Sequence, residues 1–304
     1  MQAFSNDELT PTFRGRRWSI VLSLVVLACG KTPTGTTSPA TGSGSNSGSG
    51  GDSGSAASAP SAGGSGSEAG TVSFACTSNA QPGDTVSVPA GDFAMGCEAQ
   101  VDTDCMDDEK PLHTVSLGAF QIDRTEVTQD QYTACVQASV CDEPQCTWDC
   151  TRTDFPAACI EWSQAKAYCS WVGKRLPTEA EWEKAARGTT GLKYPWGNQD
   201  VDCTRANMVG CGDALQNVGS HPDGASPYGA LDMSGNVVEM VADWYDATFY
   251  QASPMSDPTG PATGTRYVGR GGGYKSEAVW QRASSRDWYD LSDWSEPLGF
   301  RCAL

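Results

Sequence analysis

The stretch Trp162-Ser163-Gln164-Ala165-Lys166-Ala167-Tyr168-Cys169-Ser170-Trp171-Val172-Gly173-Lys174-Arg175-Leu176-Pro177-Thr178-Glu179-Ala180-Glu181-Trp182-Glu183-Lys184-Ala185-Ala186-Arg187 encodes two helices and the break between them. Trp162, Ala165, Tyr168, Cys169 and Val172 recur at helical spacing, which predicts a helix over Glu161 to Trp171. Thr178-Glu179-Ala180-Glu181 is a capping box: the threonine hydroxyl accepts an N–H three residues on, and the glutamate reaches back. It opens a second helix through Ala186, stopped at Gly188. Upstream, Thr128 and Gln131 form a similar start, with Tyr132, Cys135 and Val136 as the apolar side. Earlier still, Thr85 to Gly96 reads as strands around a turn, and His113 to Phe120 as a further strand. Downstream of Gly188 the helical period fades into short segments, Gly-rich turns and tryptophans. The expected architecture is mixed α/β with little regular secondary structure, over residues 73–304.

The rest of the chain reads as an export apparatus. Arg14, Arg16 and Arg17 precede the apolar stretch Trp18 to Ala28. That stretch is shorter than the roughly 20 helical residues needed to span a bilayer, and it matches a signal-peptide core. Residues 1–28 are therefore expected to be a signal peptide. Val26-Leu27-Ala28-Cys29 resembles the lipobox of bacterial lipoproteins, making Cys29 the expected lipidation site and mature N-terminus. Ordinary cleavage and a retained anchor are the alternatives. Residues 29–72, rich in Gly and Ser, cannot bury enough surface to offset ordering entropy and read as a disordered tether. This points to an exported protein of the bacterial cell envelope, held at a membrane, periplasmic or on the surface.

Of thirteen cysteines, Cys29 stands apart and twelve remain between Cys76 and Cys302. An even number in an exported chain implies disulfides. Cys141, Cys146 and Cys150 superficially resemble a zinc cluster, but in an oxidising compartment disulfides are the stronger reading. A formal net charge of −17 argues against a nucleic-acid partner, since no basic stripe exists to neutralise phosphates.

His113 and His221 are the only histidines; with Asp223 they could complete a two-His-one-carboxylate iron site, but Pro222-Asp223-Gly224 is a strong turn sequence and a surface loop is the stronger reading. No G-x-S-x-G, P-loop, dinucleotide fingerprint or H-E-x-x-H occurs. Asp232-Met233-Ser234-Gly235-Asn236-Val237-Val238-Glu239 offers hard carboxylate oxygens around a glycine turn, as calcium requires; capping and salt bridges are the bland alternative. Gly271-Gly272-Gly273, flanked by Arg270 and Tyr274, permits close backbone approach without indicating a nucleotide. Trp280, Arg282, Arg286, Trp288 and Trp294 read either as a recognition surface or as buried ion pairs and aromatic packing.

Taken in order, Arg124 to Tyr132, Trp162 to Arg187, Tyr194-Pro195-Trp196-Gly197-Asn198, Tyr228 to Glu239, Arg270 to Tyr274 and Leu298 to Ala303 resemble the formylglycine-generating enzyme (sulfatase-modifying factor) family. Ergothioneine-synthesis and pyoverdine-maturation enzymes are relatives. The resemblance covers residues 83–304 and implies a fold related to C-type lectins. It also implies one or two structural Ca2+ ions, one held by Asp232, Met233, Gly235, Val237 and Glu239, the other by Asn207, Met208 and Asp213.

The resemblance implies copper held by two cysteines after the glycine turn, but Ser276 stands where the first belongs and no cysteine follows before Cys302. A hydroxyl cannot replace a thiolate for Cu(I). Copper and copper-dependent formylglycine formation are therefore not expected. The ergothioneine-type iron site needs three histidines and is not expected either. Two readings remain. The first is a non-catalytic domain binding a glycan, peptide or surface protein through Trp280, Arg282, Arg286, Trp288 and Trp294. The alternative is an extracytoplasmic maturation enzyme or oxidoreductase with non-copper chemistry, with Ser276, Glu277, Tyr274 and Arg282 as its candidate residues.

Overall fold

A computed structural model describes residues 74–100 and 102–304. The expected signal peptide, Cys29 and the whole of the tether lie outside the described residues. Two antiparallel pairs come first in the chain: β1 (Thr85–Val88) with β4 (Phe120–Asp123), and β2 (Gly91–Met95) with β3 (His113–Leu117). The strands expected around a turn within Thr85 to Gly96 thus form, but each pairs with a more distant strand.

Three helices follow: α1 (Gln129–Gln137), α2 (Trp162–Trp171) and α3 (Glu179–Arg187). Both expected capping boxes are present. Thr128 Oγ1 accepts from the Gln131 N–H at 3.2 Å, and Thr178 Oγ1 from the Glu181 N–H at 3.1 Å, with each longer side chain returning the bond. α2 starts with a similar exchange between Glu161 and Gln164.

The C-terminal part supplies a four-stranded sheet in the order β7 (Arg286–Asp290), β6 (Arg266–Arg270), β5 (Val238–Trp244), β8 (Leu298–Phe300); only the β5–β8 pair is parallel. Its residues divide between two apolar clusters. Val241 and Val268 join Trp182 of α3, Phe93, Val115 and Ile122. Val238, Met240, Tyr267, Leu298 and Phe300 join Tyr132 of α1 and Tyr168 of α2. Alternate side chains of a strand face opposite ways, so one sheet serves both cores. Among the described residues no helix is long and apolar enough to cross a membrane.

All twelve cysteines from Cys76 onward pair: Cys76–Cys150, Cys97–Cys105, Cys135–Cys141, Cys146–Cys159, Cys169–Cys302 and Cys203–Cys211. Disulfides on this scale belong to an oxidising compartment.

Candidate functional site

Strand β6 delivers Arg270 into the core and then turns sharply through the three glycines. Gly272 adopts φ +64°, and a Cβ there would meet the Trp280 carbonyl oxygen at 2.8 Å, so only glycine fits. The turn closes on Ser276, whose hydroxyl accepts the Gly273 N–H at 3.0 Å and whose own N–H donates to the Gly273 carbonyl at 2.8 Å. Ser276 lines a recess of about 10 Å³ with Val238, Gly269, Trp280, Ser285 and Asp287. That volume holds about one water molecule. Ser285 Oγ is buried without a hydrogen-bond partner. Asp287 Oδ2 accepts from the Tyr289 hydroxyl.

The neighbouring candidates separate clearly. Tyr274 is buried, and its hydroxyl donates to Glu296 Oε2 at 2.6 Å. Burial, reinforced by that carboxylate, raises the Tyr274 pKa, while Lys275 moderates the shift. The Tyr274 and Lys275 bonds lower the Glu296 pKa. Glu277 is exposed beside Ser276.

Arg282 and Arg286 do not belong to a recognition surface. Arg282 is 0% exposed and forks onto Glu109 at 2.7 and 2.6 Å, with Asp102 at 3.0 Å. Arg286 is 2% exposed and grips both oxygens of Glu179. A planar guanidinium satisfies a buried carboxylate with two parallel bonds, and each arginine thereby ties a strand or turn to a distant segment. Arg282 is equally unable to reach a substrate at the recess surface. Of the aromatic candidates, Trp280 and Trp288 are half-buried, the latter under the Arg266 guanidinium at 3.6 Å from its ring centroid. Trp294 is exposed.

The acidic segment builds a second, buried centre. Gly235, at φ +91°, passes so close to Asn207 that a Cβ would sit 2.5 Å from its carbonyl oxygen. Asp232 accepts the Gly219 N–H, and Met233 and Val237 are fully buried. Both Glu239 oxygens are committed to Arg301 at 2.6 Å, and one also accepts the Trp182 indole N–H at 2.8 Å. Glu126, from the Arg124–Tyr132 motif, joins this centre and was not singled out from sequence. One of its oxygens accepts from Asn236 at 3.1 Å; the other is buried without a partner. Burial, and then the facing Asp232, push its pKa well up, although Arg301 opposes this. Nothing local in Glu126-Val127-Thr128 signals this role, because Asp232 lies more than a hundred residues away.

Asn207 lies against the same centre, but its amide is engaged by Asn236, Ala214 and Gln216. Asp213 is exposed and accepts from Gly210; Met208 is half-buried. Asn207 and Asp213 thus turn their side chains to different partners. Among the described residues, the only His/Cys/Asp/Glu trio with ligand atoms all within 4.8 Å is Cys97, Cys105 and Glu109. Two of these share a disulfide and Glu109 holds Arg282, so no thiolate site exists there. Cys302 is bridged to Cys169. No described thiol is free to hold copper.

The family pattern described as "Sulfatase-modifying factor enzyme 1-like domain" matches residues 72–304. The chain belongs to the sulfatase-modifying factor family. It is 32% identical over 277 residues to the formylglycine-generating enzyme of Streptomyces coelicolor, covering 72% of this chain and 88% of that one. It is 30% identical over 247 residues to the hercynine oxygenase of Mycolicibacterium smegmatis, covering 68% of this chain and 58% of the relative. Among solved structures, PvdO from Pseudomonas aeruginosa superimposes with a TM-score of 0.62 at 27% identity, covering 73% and 94% of the two chains. Within this family, the pairing of all twelve described cysteines in disulfides argues against copper-dependent formylglycine formation.

Proposed function

We propose that this sulfatase-modifying-factor-like domain acts outside the cytoplasm in the maturation of a peptide or small molecule, by chemistry that does not use a copper–thiolate centre. The observation that carries this reading is the Ser276 recess, built on the glycine turn and holding one unpaired buried hydroxyl, Ser285 Oγ. Ser276 and Glu277 are the reacting candidates: the carboxylate takes a proton and the hydroxyl engages the substrate. Tyr274 positions the turn through Glu296, and Arg282 is a strut. Kinship with a formylglycine-generating enzyme, a hercynine oxygenase and PvdO supports the reading.

The test incubates the purified, disulfide-intact chain with a cell-envelope peptide and metabolite pool. Product masses and oxygen uptake are compared with Ser276→Ala. A mass shift lost in the variant supports the proposal; identical product profiles overturn it. Copper bound stoichiometrically, with formylglycine formed on a cysteine peptide, overturns its non-copper part.

A second reading, binding without turnover, is favoured by the small recess. In that case Trp280, Trp288 and Trp294 supply the contact surface for a glycan, peptide or surface protein.

The remaining assignments complete the proposal. Residues 1–28 are a signal peptide, lipidated Cys29 anchors the chain, residues 29–72 form the tether, and residues 73–304 form the domain. The relation to C-type lectins is carried from the resemblance. For calcium, the donor set fits a hard cation: Glu126 and Asp232 face one another, and one acceptor oxygen is unmatched. Glu126, Asp232 and the carbonyls of Met233, Gly235 and Val237 would hold it, with Glu239 orienting Arg301 beside them. A second ion would draw on Asn207, Met208 and Asp213, and the Asn207 and Asp213 side chains would have to turn from their present partners.

A further inference from the structure

A groove of about 550 Å³ lies apart from the Ser276 recess, and none of its lining residues lines that recess. It has the size of a site for a small ligand. Its apolar lining is Leu117, Leu176, Ala242 and Pro258, placed by β3, by the link between α2 and α3, by β5 and by the 251–265 loop. Four charged side chains also line it. Arg175 and Glu181 satisfy one another through two bonds of 2.6 and 2.7 Å. That leaves Lys166 and Asp257.

Lys166 is exposed on α2. Its ammonium rests 4.2 Å from the centroid of the Trp162 ring and pairs with no carboxylate among the described residues. Asp257 is held at the groove wall by two hydrogen bonds, to β3 and the β3–β4 connection. It sits at φ +42°, in the left-handed region that Asp and Asn enter more readily than other non-glycine residues, and immediately precedes a proline. Its N–H donates to the Ser116 carbonyl at 2.9 Å, and its Oδ1 accepts the Gly118 N–H at 2.9 Å. Its charge acts on Lys184, but that ammonium donates to the carbonyls of Pro89 and Gly91 and forms no ion pair with Asp257. Asp257 Oδ2 has no hydrogen bond.

We propose that this groove binds a short zwitterionic peptide, its carboxylate on Lys166, its ammonium on Asp257 and its apolar side chain on Leu117 and Leu176. Charge complementarity selects this class: the two charged groups of the groove that form no ion pair among the described residues have opposite signs, so an anion or a cation alone leaves one unmatched. The Arg175–Glu181 pair adds a fixed polar wall without net charge.

Calorimetric titration of the full chain with Ala-Leu-Ala tests the proposal, against the N-acetylated and the C-amidated peptide. The zwitterion is expected to bind saturably, and each cap to weaken binding about tenfold, the loss of roughly one charged hydrogen bond. Lys166→Gln should abolish the effect of amidation alone, and Asp257→Asn that of acetylation alone. Asparagine tolerates the left-handed backbone, and an unchanged thermal midpoint establishes that both variants fold. The proposal is overturned by an absence of saturable zwitterion binding to the folded chain. Equal binding of all three peptides, or unchanged cap effects in the two variants, also overturns it. Turnover at the Ser276 recess is not read in this titration, so either reading can fail alone.

Discussion

Two regions of the domain are held together by different physics. Around α1 and α2, cystines dominate: Cys135–Cys141, Cys146–Cys159, Cys76–Cys150 and Cys169–Cys302 staple short helices and a long irregular loop. Around α3 the chain is held by buried charge. Every residue of α3 is buried, among them Glu179, Glu181, Glu183, Lys184 and Arg187. Glu183 meets Arg270 at 2.5 Å and Arg187 at 2.9 Å, and Glu179 meets Arg286 at 2.7 Å. Burial drives the Glu179 pKa up, but Arg286 and Arg270 outweigh it and leave the group below its ordinary value. A disulfide acts mainly by restricting the unfolded chain, whereas a buried ion pair acts only in the folded state and is costly when one partner is missing. The cystine region should therefore resist loss of individual contacts, and the α3 region should not.

Five changes probe this contrast. The largest effect is expected from Glu183→Ala, which strips the buried Arg270 and Arg187 of a shared carboxylate. A loss of about 3–5 kcal/mol is expected, read as a fall in the urea midpoint. Removing the Cys169–Cys302 bridge by double alanine substitution opens a loop with a sequence separation of 133. Disulfides of this kind typically contribute about 2–4 kcal/mol; a change near zero would show that the helices alone hold the C-terminus. Thr178→Ala removes the cap of α3 and should cost about 1 kcal/mol, visible as a lower thermal midpoint. Ala substituted at Thr128, in the cystine region, should have a smaller effect.

The smallest effect concerns Asp243, whose Oδ2 accepts the Glu179 N–H at 2.9 Å. Burial, and next the Glu179 carboxylate, push the Asp243 pKa well above its ordinary value. With the folded pKa raised, the group favours folding below its unfolded pKa, and that contribution is lost as pH rises through the folded value. Asp243→Asn should therefore raise the thermal midpoint at pH 8 more than at pH 4. Equal shifts at both would show that Asp243 is not protonated on folding.

The helices were legible because their signals are local. Thr178 and Glu181 lie one turn apart, so the sequence alone places the cap, and the same holds for Thr128 and Gln131. The recess was legible in part, since the triple glycine and Ser276 are contiguous. Arg282 and Arg286 were not: a charged residue near tryptophans reads equally as a ligand contact or a strut, and only the approach of Glu109 and Glu179 decides between them. Glu126 was missed for the same reason.

The sequence by itself therefore determined the helix starts, the even cysteine set, the acidic balance and the lack of a thiol at Ser276, each a matter of composition or near-neighbour spacing. The tertiary structure alone decided which cysteines pair, that β1 and β2 join distant strands, that two arginines are buried, and that Lys166 and Asp257 share a groove. These depend on contacts between segments far apart in the chain, where burial and charge pairing, not local spacing, set the energy.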